Sequence, residues 1–334
     1  MKRLMLGMLM SLFAVGMIGC SSASEAGSSS GSKEDGPVKI RIGIGYATEE
    51  PLWLMSAAPE LTKYNGDKYE LEFQQFRANA DRLNAYRAGQ LEGGSLGQGA
   101  LIMAADQGVD LKVVASIAKD TPNKGFNFPF MAKKGSGLES AKDLKGKTIG
   151  IPDFKSPTDM WARTALRNAG LDPDKDVKFS VLPTPAVEES IKSGKIDAGL
   201  VPQPFYAELE PKGELQTVFT SKDGVPVDED FLSLFFNPKF ISENEEAFQA
   251  FIEDYQATMK YYLENEKEAR QKLLDKEFVL ADQEIYLNML DSNRSEDLSL
   301  NRESWEEVQQ IMLEEKWIEN KVDLDKLLDE SYLK

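Results

Sequence analysis

The chain has 334 residues, with 39 lysines and arginines against 56 aspartates and glutamates, and a net charge of −17. That balance disfavours nucleic acid, which calls for a basic face. Histidine is absent and Cys20 is the single cysteine, which excludes Ser-His-Asp and Cys-His catalysis, histidine general bases, the commonest zinc ligands and any intramolecular disulfide. An enzyme built from this sequence would have to use carboxylates, lysine, tyrosine or serine, and none stands in a recognisable catalytic spacing. No metal or cofactor site is expected. The acidic excess sits in the carboxy-terminal third: from Asp228 onward there are 28 acidic and 12 basic residues, the pattern of solvated helix faces.

Lys2 and Arg3 precede an apolar run from Leu4 to Ile18, too short to span a bilayer comfortably and built like a secretory signal. Its small-residue end, Met17-Ile18-Gly19-Cys20, resembles a bacterial lipobox, in which the thiol is acylated and becomes the mature amino terminus; an ordinary signal with a chance cysteine is the alternative. Residues 1–19 are therefore expected to be a lipoprotein signal peptide, Cys20 a membrane anchor, and residues 20–36 a flexible tether. This tether is Ser, Gly, Ala and charge, and a coil of that length reaches roughly 20 Å. About 300 residues remain, more than one core holds, so two domains are expected.

VKIRIGIGYA alternates strictly, with Val38, Ile40, Ile42 and Ile44 on one face, and reads as a strand. A helix beginning near Leu52, the strand YELEFQQF, the helix ADRLNAYRAGQ, a Gly-rich turn GGSLGQG, the helix ALIMAADQG and the strand DLKVVASI follow, the order of a parallel sheet covered by helices. After TPNKGFNFP the pattern restarts. FPFMAKK and DLKGKTIGIP read as strands, SPTDMWARTALRNAG as a helix, VKFSVLP as a strand, AVEESIKSG as a helix and IDAGLVPQP as a strand. KDGVPVDED breaks the pattern, FLSLFFN is one more strand, and the rest is helical. In that tail Phe248, Phe251, Ile252, Tyr255, Met259 and Tyr262 keep a helical stripe that reads as core. This order fits an α/β protein of two lobes. Residues 37–127 begin lobe 1, 128–226 form an inserted lobe 2, and 227–334 return to lobe 1. The two crossings, near Pro122–Phe128 and Lys222–Phe231, would be hinge strands.

Several loop segments could meet a ligand. Ser156, Pro157 and Asp159 open a helix directly after the strand TIGIP, so its free N–H groups could take an anion or a polar oxygen, or the residues could simply cap their own helix. Gln98 and Gly99 stand at the equivalent turn of the first lobe. Tyr46 and Trp53 could stack on a flat ligand, although Trp53 also suits the core. Gly43-Ile44-Gly45 lacks the third glycine of a dinucleotide fingerprint, and Glu49-Glu50 would repel a pyrophosphate. Gln203 ends a strand at a lobe edge, and Arg77 is the best single cation for balancing an anion, against the default of a surface arginine. No phosphate loop of the GxxxxGK[ST] kind is present.

Taken in order, ESAKDLKGKTIGIP, NAGLDPDKDV and LPTPAVEESIKSGKIDAGLVPQPF, with LNAYRAGQLEGGSLGQGALIMAADQGVDLKVVAS before them, resemble the sulfonate/nitrate/taurine/thiamine-precursor (NMT1/THI5-like) binding proteins of ABC transporters, over nearly all of residues 38–334. The resemblance implies a type II periplasmic-binding fold, two α/β lobes joined by two hinge crossings, with a ligand in the cleft. It implies contacts from Tyr46, Thr48, Gln98, Gly99, Ser156, Thr158 and Gln203, and no enzymatic activity. Synthase relatives consume a histidine, which this chain lacks. Pro157 and Asp159 depart from the family's small-residue run, the one removing an N–H and the other adding negative charge. The implied role is a lipid-anchored, monomeric, extracytoplasmic receptor serving an ABC permease and its ATPase. Its expected solute is an aliphatic sulfonate or taurine; a thiamine-precursor pyrimidine is the alternative, and an extracytoplasmic enzyme or adhesion lipoprotein a remote one.

Overall fold

The computed structural model describes residues 36–46 and 48–333; the signal peptide, Cys20 and nearly all of the tether lie outside the described residues. Among the described residues, ten strands form two sheets. Strands β1 (Val38–Ile44), β2 (Tyr69–Gln75), β3 (Gly93–Gly97), β4 (Lys112–Asp120) and β10 (Glu229–Phe236) make the first, in the order β2-β1-β3-β10-β4. Strands β5 (Pro129–Lys133), β6 (Thr148–Ile151), β7 (Lys178–Val181), β8 (Ala198–Leu200) and β9 (Leu215–Thr220) make the second, in the order β7-β6-β8-β5-β9. Each sheet has parallel neighbours at its centre and one reversed strand, β10 in the first and β5 in the second. The chain passes between the sheets twice, after β4 and after β9.

The alternation in β1 does what its period demands: Ile40 and Ile42 are fully buried, and Arg41 turns out to an ion pair with Glu92. GGSLG, expected to be a turn, is instead the buried central strand β3. Its glycines serve packing. A Cβ on Gly93 would stand 2.4 Å from the Phe235 carbonyl oxygen, and one on Gly94 would stand 3.1 Å from the Phe235 ring. β10 can therefore lie against β3 only where side chains are missing. The edge strand β9, for which the sequence shows no clear signal, pairs with β5 alone.

Phe248, Phe251, Ile252, Tyr255, Met259 and Tyr262 are all buried along the helix Glu245–Glu264. Asp254 on that helix accepts hydrogen bonds from the Lys63 and Tyr64 backbone N–H groups at 2.7 and 2.9 Å and from the Tyr69 hydroxyl at 2.8 Å. One carboxylate thus ties the carboxy-terminal third to the edge of the first sheet. The helix Arg302–Glu314 packs on the helix Gln98–Asp106 and on β10.

The two halves also touch one another. Glu315, which follows Arg302–Glu314, is ion-paired with Arg163 and Arg167 of the second half. Gly97 and Pro157 close on each other, so that a Cβ on Gly97 would be 3.3 Å from the proline ring. The Gln203 side-chain amide donates to the Leu290 carbonyl at 3.2 Å.

Candidate functional site

Between the sheets lies a cavity of about 410 Å³, the size of a small-molecule site. Eight aromatic residues line it. Trp161 on the helix Pro157–Asn168 stacks on Phe128 with centroids 4.9 Å apart, and Phe231 of β10 closes on both. Tyr46 and Trp53 face them from the segment after β1, and Tyr286 comes from the carboxy-terminal third. Tyr46 is 59% exposed and so stands at the mouth. Trp53 is buried, and its indole N–H donates to Glu49 at 3.1 Å.

Two carboxylates, Glu50 and Asp291, also line the cavity. Behind them Arg294 is buried completely. Its guanidinium donates to Glu50 Oε2 at 2.6 Å and to Asp291 Oδ2 at 3.1 Å, and to the Thr48 and Ile117 carbonyls at 3.1 and 3.0 Å. Thr48 carries a φ of 68°, a left-handed conformation that β-branched residues rarely adopt. The Arg294 bond to its carbonyl holds it there. Burial pushes the Glu50 carboxyl above its ordinary value, with Arg294 opposing and Asp291 adding. Burial also acts to raise Asp291, but Arg294 and Arg270 outweigh it and hold that carboxyl low.

Five of the nine residues expected at a ligand line this cavity: Tyr46, Thr48, Trp53, Thr158 and Gln203. The other four do not. Arg77 stays on the exposed surface after β2. Gln98 is fully buried and donates to the Ser304 hydroxyl at 3.1 Å. Gly99 sits near Met312, and Ser156 caps its own helix, accepting from the Asp159 N–H at 3.3 Å. Gln98 and Gly99 are thus taken up by the helix Arg302–Glu314, and Pro157 lies against Gly97. Asp159 is spent internally, accepting from the Lys155 N–H at 2.9 Å and from Arg163 Nε at 2.8 Å. Gln203 has little amide left for a ligand, since its oxygen accepts from the Ala207 N–H at 3.2 Å while its nitrogen serves Leu290.

The acidic pair after β1 is buried, with Arg82 beside Glu49 and Arg294 beside Glu50. Glu49 accepts from the Gly45 N–H at 2.9 Å and from the Ser95 hydroxyl, with Arg82 at 3.6 Å. Burial raises its carboxyl, with Arg82 opposing. Gly43 and Gly45 make room for this arginine: a Cβ on either would come within 2.7 Å of the Arg82 side chain. The GIG run therefore accommodates an ion pair. Phe128, Trp161 and Phe231 are not among the expected residues, although the aromatic density of FNFPF and FLSLFF is a usable signal. The sequence carries none for Arg294.

The NMT1/THI5 like family matches residues 64–269. The taurine-binding periplasmic protein of Escherichia coli is 28% identical over 179 residues, 53% of this chain and 53% of that protein. A putative aliphatic sulfonates-binding protein of the same organism is 24% identical over 196 residues, 59% of this chain and 58% of that protein. The matched region thus spans somewhat over half the length of these relatives. Among solved structures, the periplasmic aliphatic sulphonate binding protein of Escherichia coli superposes with a TM-score of 0.71 at 19% identity, covering 87% of this chain and 91% of that one. The periplasmic nitrate-binding protein of Synechocystis gives 0.65 at 13% identity, covering 89% and 87%. These likenesses establish the two-lobed type II periplasmic-binding fold. With the family matched over residues 64–269, more than half of its length, the chain belongs to the NMT1/THI5 like family.

Proposed function

We propose that this chain is the solute receptor of an ABC importer, closing its lobes on a small solute and presenting the closed form to a permease and its ATPase. We further propose that the solute is a flat heteroaromatic molecule of the thiamine-precursor pyrimidine class. One observation carries that choice: the cavity is walled by aromatic rings and two carboxylates, and among the described residues no lysine or arginine lines it. Rings stack on rings, and a carboxylate such as Glu50 accepts from an amino group on a heterocycle. A sulfonate brings a fixed negative charge beside two carboxylates, into a wall whose donors are neutral hydroxyls such as those of Thr48, Thr158 and Tyr286 with no cation among them. Taurine is the second reading, supported by the names of the relatives; its ammonium would suit Glu50. A role in binding without turnover agrees with those names as well.

Thermal unfolding against a panel of aminopyrimidines, taurine, alkanesulfonates, nitrate and amino acids separates these readings. Solute at 100 times its Kd adds about 2.7 kcal/mol, enough to raise the midpoint by several degrees. A rise with aminopyrimidines alone is the expected result. A rise with sulfonates alone would replace the pyrimidine class, and a flat panel would count against the receptor itself.

The lipobox-like Met17-Ile18-Gly19-Cys20 supports an anchor on Cys20 that holds the receptor at the outer face of the cytoplasmic membrane, or in the periplasm of a two-membrane cell. No helix among the described residues is long and apolar enough to cross a membrane. Metabolic labelling with a radioactive fatty acid should mark the wild type and leave Cys20→Ser unlabelled; equal labelling of both would remove the anchor.

A further inference from the structure

Where the chain crosses between the sheets, the end of β4 and the start of β10 run side by side, with Glu229 opposite Asp120. Three carboxylates, Asp120, Glu229 and Asp230, are buried there to 1% exposure or less. Among the described residues, two ammonium groups answer them. Lys222, from the short helix Ser221–Gly224, places Nζ 3.0 Å from Asp120 and 3.9 Å from Glu229. Lys119 places its own 3.3 Å from Asp230 and 3.7 Å from the half-buried Asp228. Asp230 is further held by the Asn301 N–H at 2.6 Å and the Trp305 indole at 2.9 Å, and Asp120 by the Asn127 amide at 2.8 Å. Burial raises the Asp230 carboxyl as well as that of Glu229, but Glu229 is the carboxylate farthest from an ammonium, 3.9 Å against 3.0 Å for Asp120 and 3.3 Å for Asp230. Its hydrogen bond comes from the Trp161 indole N–H, at 2.8 Å. Trp161 is the ring that walls the cavity against Phe128.

We propose that Glu229 is a positioning residue for the solute cavity: the proton it exchanges with solvent sets the strength of the hydrogen bond that holds the Trp161 ring in the wall. This rests on the reading of that cavity as the solute site. Ionised, Glu229 accepts a charge-assisted bond from the indole; protonated, it accepts an ordinary one, roughly half as strong. The ring is thus held more firmly above the transition than below it. The groups facing Glu229 favour an exchange near neutrality: burial raises its carboxyl to about 7, with Lys222 opposing and Asp120 and Asp230 adding.

Four tryptophans make the test direct. In the ¹⁵N-labelled full chain, without solute, the Trp161 indole N–H resonance is assigned by its absence in Trp161→Phe and followed from pH 5.5 to 8.5. It should move with one midpoint near 7, and in Glu229→Gln it should stay still. Asp120→Asn removes a facing negative charge and should lower the midpoint, which keeps the test decisive if the glutamine variant fails to fold. A Trp161 resonance that does not move in the wild type, one that still moves in Glu229→Gln, or an Asp120→Asn midpoint that does not fall would each overturn the proposal. Because no solute is present, such a failure leaves the receptor reading to stand or fall on the thermal panel.

Discussion

Replacing Arg294 with methionine should lower the unfolding free energy by about 3–5 kcal/mol, the usual result of removing one partner from a buried ion pair. The side chain is fully buried between Glu50 and Asp291, and two backbone carbonyls depend on it as well. Methionine fills much of the volume but donates nothing, so two carboxylates that line the cavity would be left to bind protons or draw in water. Solute binding should fall with stability, because Thr48 loses the bond that holds its left-handed backbone. Urea denaturation followed by far-ultraviolet circular dichroism reads the loss directly. Adding Glu50→Gln and Asp291→Asn to the methionine variant should recover a large part of it, since neutral amides leave no buried charge unpaired. A loss below about 1 kcal/mol, as for exposed pairs, would mean that water already reaches this network.

The second large effect is a dependence on pH that belongs to Glu229. Its carboxyl is raised from an ordinary 4.5 to about 7, chiefly by burial. Below 4.5 the folded and unfolded chains both carry the proton, and the full contribution to stability is present. Between 4.5 and about 7 the folded chain keeps a proton that the unfolded chain has released, so stability falls as pH rises through that window. The fall amounts to about 3 kcal/mol and levels off above the folded value. Glutamine copies the protonated form and removes the dependence. Glu229→Gln should therefore match the wild type near pH 5 and exceed it at pH 8. Taking the difference between the two urea curves at each pH cancels the titrating groups that do not face Glu229. Curves that stay parallel from pH 5 to 8 would show that Glu229 is ionised throughout.

How much of this was legible depends on how far each feature reaches along the chain. The β1 alternation, the Phe248–Tyr262 stripe and the Ser156 cap are set by neighbours one to four residues apart, and periodicity or capping chemistry discloses them. β3 reads as a turn because its five residues are mostly glycine, and only the approach of Phe235 and Phe236 from a strand far along the chain makes a strand of them. β9 carries a weak pattern because it is an edge strand with one partner. Resemblance placed the fold, and four of the seven residues it implied line the cavity, with Trp53 beside them; Gln98 and Gly99 are absent from that wall because they face Ser304 and Met312, and Ser156 because it caps its own helix.

The sequence by itself determined the class of the protein: no histidine chemistry, an α/β chain of two units, an acidic helical tail, and a family-like order of motifs. It also determined that Arg77 would look like the cation of the site, standing as it does directly after a strand. Only the tertiary structure places Arg77 on the exposed surface, outside the cavity lining. Arg294 reaches Thr48 across 246 positions and Glu50 across 244, and Trp161 meets Glu229 across 68. Charges separated this far in sequence leave no periodic trace. What joins them is the cost of burying an ion without its partner, and that cost exists only once the sheets have packed and water has gone.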